Sequence, residues 1–412
     1  MTSKRAYAED APIGASTIDR LLEACKPGHT LPQPFYNDRL LYDFDLRAIF
    51  HRHWLQACLE IEIPEPGDFL TMIVGTSPIV ILRDEAGRIR AFFNTCRHRG
   101  AQICQEEKGS LRRLVCPYHQ WTYDLGGKLV YAGRMQESFE PDRHGLVPVA
   151  AETVAGVVYV SLAPSPPDLA PFRSAIERLL APHDLQNAKL AHTATLVEKA
   201  NWKLVMENAR ECYHCPAKHR ELVRSFPARG VDGDDAEREA RRREFAARCE
   251  AEGLPSGPVS GAFWEASRFP LLGDAKSITM DGSPAVAKPL GRTGDGDVGS
   301  MRWAMQPNCF NHAVGDYVFF FQALPTAPEE TVVTAKWVVN KDAVEGVDYD
   351  LAKLIEVWDK TNLQDRWLAE NNQRGVNAAS YIPGPYSELA EQGVLKFTNW
   401  YKNAAIQYQR ER

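Results

Sequence analysis

The chain of 412 residues carries 48 Lys and Arg against 54 Asp and Glu, a formal charge of -6 at pH 7. That length allows roughly two or three domains with sizeable cores, and the mildly acidic balance argues against a nucleic-acid partner. The opening Met-Thr-Ser-Lys-Arg, followed by Glu9 and Asp10, lacks an apolar signal core, and no apolar run long enough to span a bilayer occurs. A cytoplasmic protein with no membrane partner is therefore expected.

Residues 1–58 read as an N-terminal helical arm packing on the rest, with Phe44, Leu46, Ile49, Phe50 and Trp54 at roughly helical spacing. From Ile61 the text changes to short apolar runs separated by turns. Phe69 to Val74, Ile79 to Leu82 and Ile89 to Phe93 predict strands, with Asp84-Glu85-Ala86-Gly87-Arg88 as a hairpin turn. Residues 59–163 thus form a small all-β module that closes with Val157 to Leu162. The run Ala163-Pro164-Ser165-Pro166-Pro167 marks a boundary.

Residues 164–412 predict a second, α+β domain with a large antiparallel sheet. A short helix is expected around Ile176, Leu179 and Leu180, and a strand over His192 to Val197. Residues 228–260, charged and alanine-rich with Gly230 among their glycines, read as a solvated helix in a surface excursion without chemistry. Pro284 to Gly299, rich in Gly and Asp, reads as a mobile loop. Strands return at Met301 to Met305, Phe310 to Val314, Tyr317 to Leu324 and Thr331 to Asn340, the last alternating Val333, Ala335, Trp337 and Val339 on one side. A long helix from Asp350 to about Gly375 follows.

Two stretches carry the chemistry. In the first, Cys96-Arg-His98 and Cys116-Pro-Tyr-His119 are separated by seventeen residues, on loops at hairpin tips. Two thiolates and two imidazoles suit a tetrahedral zinc site or an iron-sulfur cluster equally well by ligand identity. Zinc fingers, however, usually pair Cys with Cys and His with His. A Cys-x-His arm followed by Cys-x-x-His resembles the Rieske signature, in which two Cys hold one iron of a 2Fe-2S cluster and two His the other. Arg97, Arg99, Gly100, Tyr118 and Trp121 also match that pattern.

In the second stretch, Glu207, Glu211 and His214 are spaced four and three apart, so a helix would carry them on one face. His219 would point about 140° away on a continuous helix, but Pro216 breaks it and lets the chain bring His219 back. Two imidazoles can then share a metal, and oxygen-activating ferrous iron takes a carboxylate as its third ligand. In the long helix the apolar stripe Leu351, Leu354, Ile355, Trp358 continues through Asn362 to Asp365, whose carboxylate would face the core. A buried carboxylate is costly unless paired or metal-bound.

Nine cysteines without regular spacing fit reduced thiols. Cys25, Cys58, Cys249 and Cys309 read as small core or incidental residues, and Cys212 and Cys215 as packing, since added thiolates would spoil an oxygen-activating site.

A Rieske module followed by Glu-x-x-His-x-x-x-x-His and a late Asp resembles the catalytic subunit of Rieske non-haem iron oxygenases over nearly the whole chain. The resemblance implies a Rieske domain, a helix-grip catalytic domain and a head-to-tail homotrimer, with the cluster of one subunit close to the mononuclear Fe(II) of its neighbour. It assigns the 2Fe-2S cluster to Cys96, His98, Cys116 and His119, and the mononuclear iron to His214, His219 and Asp365. Electrons would come from NAD(P)H through a separate flavin and iron-sulfur reductase. The bridging residue between His119 and His214, usually Asp, is Glu211 here, with Glu207 as its rival.

Glu211 within Glu-Cys-Tyr-His-Cys, the text Pro270-Leu-Leu-Gly-Asp-Ala-Lys-Ser-Ile-Thr-Met-Asp-Gly, and Thr361-Asn-Leu-Gln-Asp-Arg resemble the branch acting on quaternary amines such as glycine betaine, stachydrine and carnitine. Implied is hydroxylation of an N-methyl group, giving a hemiaminal carbon that collapses to formaldehyde and the demethylated amine. A permanent cation would be held by aromatic faces, each contributing about 0.5 to 2 kcal/mol. Phe263, Trp264, Trp303, Phe310, Tyr317 and Phe319 are candidates, with Trp264 and Phe310 preferred; the group that binds the substrate carboxylate is not legible. The alternatives are an oxygenase acting on an aromatic or other neutral substrate, and a non-catalytic, zinc-stabilised interaction module.

Overall fold

The computed structural model describes residues 15–228, 231, 233–294 and 297–411. The first part of the expected arm and the turn at Gly230 lie outside the described residues.

The fold is α+β, built on two seven-stranded antiparallel sheets and a three-stranded one. In the first sheet the order is Leu55–Leu59, Val157–Ser161, Pro148–Val154, Ile89–Phe93, Ser77–Arg83, Asp68–Val74, Lys108–Ser110. It begins inside the segment expected as the arm. The hairpin turn at Asp84 forms because the Asp84 carboxylate accepts from the Ala86 and Arg88 amides at 2.9 Å each, while Gly87 takes φ +76°. The small sheet pairs Leu114–Val115, Thr122–Tyr123 and Leu129–Tyr131 and carries a core of its own under the two Cys-His loops.

The second large sheet runs Ala188–Glu198, Glu330–Asn340, Tyr317–Ala327, Cys309–Ala313, Ser300–Met305, Trp264–Phe269, Val259–Ser260. The alternation expected from Thr331 onward is present, with Val333, Ala335, Trp337 and Val339 all buried. The Leu351–Val376 helix starts where the Asp350 side chain caps the Lys353 amide at 2.9 Å. It lies against this sheet, with Trp358 stacked on Phe319 at 4.2 Å between ring centroids. The short helix around Ile176 is longer than expected, Ala170–Leu180, and the strand expected over His192 to Val197 extends to Ala188–Glu198.

Gln56 locks the two large sheets together. Its amide group and backbone bond Asn308 and Asn311, with Asn308 Oδ1 accepting from Gln56 N at 3.0 Å and Asn311 Nδ2 donating to Gln56 Oε1 at 2.9 Å. The arm adds a buried ionic knot, in which Asp45 accepts from Lys203 Nζ, from Trp202 Nε1 at 2.9 Å and from the Tyr401 hydroxyl at 2.7 Å. Lys203 and Trp202 belong to the Trp202–Asn208 helix that leads into the second Cys-His stretch, so the arm braces that helix.

Residues 284–294, expected as part of a mobile loop, form no helix or strand but are tied down. Asp316 Oδ2 accepts from the Ala285 and Val286 amides at 2.6 and 3.1 Å, and Leu290 is fully buried. Among the described residues, no helix is long and apolar enough to cross a membrane.

Candidate metal centres

The two loops of the first stretch share one design. Cys96 donates its amide to Ala101 O at 2.8 Å and accepts from the Gly100 amide at 3.0 Å; Cys116 does the same with Trp121 O at 2.8 Å and the Gln120 amide at 3.0 Å. Each turn closes on a left-handed residue, Gly100 at φ +80° and Gln120 at φ +59°. Glycine reaches that region freely, whereas glutamine does so under strain.

The loops bury their sulfurs and expose their imidazoles: Cys96 and Cys116 are 3% and 2% accessible, while His98 and His119 lie open. The two rings sit 4.6 Å apart, His98 stacked on Trp121 and His119 on Tyr118. Tyr123 supports the sulfur side, its hydroxyl 3.3 Å from Cys96 Sγ and accepting from the Arg97 amide at 3.0 Å. Two soft donors on one side and two imidazoles on the other suit a two-iron cluster with unlike irons. The compact three-donor group that suits a single ion lies elsewhere among the described residues, at His214, Cys215 and His219.

Around that second group the helical expectation fails. The Trp202–Asn208 helix ends before Glu211, so Glu207, Glu211 and His214 do not share a helical face. Instead Glu211 organises a turn, accepting from the Tyr213 and His214 amides and from His214 Nδ1. Pro216 sits in the first turn of a short Cys215–Lys218 helix rather than breaking one, and His219 follows as its C-cap.

The ring nitrogens settle what the site wants. His214 Nδ1 is engaged by Glu211, and His219 Nδ1 donates to Gln364 Oε1 at 2.7 Å. Each neutral ring therefore presents a lone pair at Nε2. Those two Nε2 atoms lie 2.9 Å apart, and Asp365 Oδ1 lies 3.3 Å from the first and 2.9 Å from the second.

Three acceptors converge on one point, and only a cation reconciles them. Burial opposes charge on His214, but Asp365 and Glu211 outweigh it and hold that imidazole's pKa up at about 9. Burial likewise raises the Asp365 carboxyl, and its bonds to the two imidazoles outweigh this and keep it below the ordinary range. A proton or a metal can satisfy such a set, and two His with one carboxylate fit ferrous iron with open positions.

Cys215 is no rival ligand, because it is joined to Cys212 in a disulfide with 4.9 Å between Cα atoms. This corrects the reading of these two as reduced packing residues: the Cys-x-x-Cys turn brings the two side chains within bonding reach. The other described cysteines are free. Glu207 is not at the imidazole pair. It is buried toward the arm, accepting from the Tyr36 and Tyr386 hydroxyls at 3.0 and 3.1 Å.

His214, His219, Asp365 and Glu211 line a cavity of about 720 Å³. Its aromatic walls are Phe226, Phe245, Phe269, Phe310 and Trp358. Phe310 is thus where it was expected. Trp264 is not: it packs 5.5 Å from Phe172 in the core on the other side of the sheet, because strand alternation turns it away from Ser267 and Phe269. Phe263 and Trp303 share that core, whereas Tyr317 and Phe319 stand behind Trp358. Sequence reasoning missed Trp358 as a wall, although it lies seven residues before Asp365 on the same helical stripe. It also gave no chemistry to the Asp235–Ala251 helix, which in fact brings Arg242, Arg243 and Phe245 to the cavity.

Comparison with known proteins places these two centres in matched regions. Residues 53–149 match the Rieske [2Fe-2S] domain, and residues 185–405 match the ring hydroxylating alpha subunit (catalytic domain). The chain is 45% identical over 401 residues to the glycine betaine monooxygenase oxygenase subunit of Pseudomonas aeruginosa, covering 96% of this chain and 93% of the relative. The corresponding subunit of Chromohalobacter salexigens is 43% identical over 412 residues, covering 97% and 91%. Among solved structures, a quaternary ammonium Rieske monooxygenase studied for carnitine oxidation superposes with a TM-score of 0.73 at 22% identity, covering 94% of this chain and 98% of that one.

Proposed function

The chain belongs to the ring-hydroxylating alpha subunits, Rieske domain and catalytic domain together, and from that premise we propose that it is the oxygenase component of a glycine betaine monooxygenase. It is a Rieske-type monooxygenase that uses a 2Fe-2S cluster and a mononuclear iron on a quaternary amine. The net reaction takes betaine, dioxygen, two electrons and two protons to dimethylglycine, formaldehyde and water. The electrons come from a separate reductase of the flavin and iron-sulfur type, fed by NAD(P)H.

The observation that carries this reading is the convergence of three lone-pair atoms, from His214, His219 and Asp365, at an aromatic-walled cavity. We assign the mononuclear iron to those three residues and the cluster to Cys96, His98, Cys116 and His119. Bound there, the cluster would supply electrons and the iron would supply dioxygen activation. The protein's own part is to orient and exclude. Glu211 and Gln364 fix the two imidazole tautomers, and the aromatic walls keep water from the N-methyl groups while facing the cation.

We further propose that the subunits assemble head to tail as a homotrimer, with Glu211 linking His214 to His119 of a neighbouring copy. Supporting this, the cluster tip offers an exposed His119 and Tyr118, and the iron loop offers an exposed Tyr213. The test is an aerobic assay with reductase: formaldehyde and dimethylglycine in equal amounts are expected from glycine betaine. Absence of formaldehyde, with hydroxylation of an aromatic or neutral substrate instead, would overturn the substrate; protein holding zinc without iron or sulfide would overturn the enzyme class.

A further inference from the structure

A betaine carries a permanent cation and a carboxylate, and the cavity is polar in the same sense. Asp365 and Glu211 line it together with the aromatic faces of Phe310 and Trp358. Along the wall formed by the Ser300–Met305 strand the balance reverses. There Arg302 and the buried Arg210 line the cavity, and Lys396 stands behind, with Glu265 as the carboxylate that answers them. Burial would raise the Glu265 carboxyl, but Arg302 and Lys396 outweigh it and hold it below its ordinary value. Glu265 is therefore an anion among more cations than it can neutralise.

Resting on the betaine reading above, we infer that Arg302 is the residue that receives the substrate's carboxylate. Its guanidinium uses Nη2 on Glu265 Oε1 and lies 5.9 Å from the Phe310 ring centroid. Among the described residues, Nε and Nη1 have no protein partner, and they are not sealed from the cavity as buried orphans are. An arginine fork held by one carboxylate keeps further donors in fixed geometry for a second.

The other arginines on the cavity do not meet these conditions. Arg268 is spent on the carbonyls of Pro255, Val298 and Leu179. Arg210 gives Nη2 to Gln306 and Cys309, and its remaining nitrogens are buried out of reach. Arg242 and Arg243 also reach the cavity, but from exposed positions on their helix and, among the described residues, with no ion pair to fix the guanidinium.

Strand pairing puts Arg302 opposite His312 and Ser267, and Phe310 and His312 point to the same face of their strand. A substrate whose carboxylate meets Arg302 thus lies along Phe310, with its trimethylammonium group toward Trp358 and the metal ligands. Glu265 and Lys396 act as positioning residues for the fork.

Calorimetric binding to the metal-loaded protein tests this, comparing glycine betaine with its amide, which keeps the cation and lacks the charge. Wild type should prefer betaine, and Arg302→Gln should lose about 10- to 100-fold in betaine affinity, the range expected for a hydrogen bond to a charged group, while binding the amide nearly as before. Arg302→Lys, which keeps the charge without the fork, should retain part of the preference and serves if the glutamine variant does not fold. An undiminished preference in either charge-neutral variant, Arg302→Gln or Arg302→Met, would overturn the role of Arg302 alone. Wild type that binds neither compound would remove the betaine reading and the inference with it.

Discussion

Replacing Glu207 by Gln should leave turnover intact and make the protein more stable at alkaline pH. Glu207 is buried, and burial pushes its carboxyl up to about 7 against an ordinary 4.5, although the Tyr36 and Tyr386 hydroxyls and Lys203 favour the charged form. The folded protein thus keeps a proton that the unfolded chain releases. The stability this contributes is fully present below pH 4.5 and is lost as pH rises toward 7, in total about 3 kcal/mol. The introduced amide would not titrate, and it can still accept from one tyrosine and donate to the other.

Lys203 loses a distant partner in the variant, which trims the gain. Thermal midpoints of wild type and variant at pH 5 and pH 8 read the effect. At about 2 to 4 °C per kcal/mol for a region of this size, the gap between them should shift by several degrees in the variant's favour at pH 8. Parallel pH responses would refute the burial argument. Loss of turnover with both metals retained would make Glu207, not Glu211, the link between centres.

Glu211→Ala should keep iron and cluster while losing at least 10- to 100-fold in turnover, roughly the effect of removing a partner that orients a metal-bound imidazole; Asp365→Ala should instead lose the iron and keep the cluster's absorption. Metal analysis and visible spectra separate the two, and equal iron contents would contradict the assignment. Lys203→Met leaves the Asp45 carboxylate buried without its cation and should cost about 3 to 5 kcal/mol, read as a lowered thermal midpoint; a change below about 1 kcal/mol would mean that the Trp202 and Tyr401 bonds suffice.

What could be read from the amino acids depended on whether a function sits in one stretch of chain. The four Cys-His donors lie within twenty-four residues and their spacing is itself the signal. Asp365 lies far from His214 and was still legible, because a carboxylate on an apolar stripe contradicts the stripe unless something at the core needs it. The helical face expected for Glu207, Glu211 and His214 was wrong in its geometry: spacing cannot reveal that the helix stops at Asn208. Whether Trp264 reaches the cavity depends on which face of its strand looks that way, and alternation fixes the two faces without saying which is which. Gln364 had no signal of its own; it matters only because His219 Nδ1 arrives opposite it.

The contrast between the two centres follows from what each must meet. The cluster tip buries its sulfurs and leaves both imidazoles open, so its exit for electrons faces outward from its own subunit. The proposed iron site holds His219 buried and opens onto the aromatic-walled cavity. The proposed head-to-tail assembly would set the open imidazoles of one copy against the metal-ligand loop of the next, bringing unlike ends together. In that proposal Glu211 is the charged group at the junction. Its carboxylate already binds the back of His214 and two backbone amides of the same turn, so the extra methylene relative to Asp is taken up inside the subunit, and the turn rather than the neighbour sets where the carboxylate points.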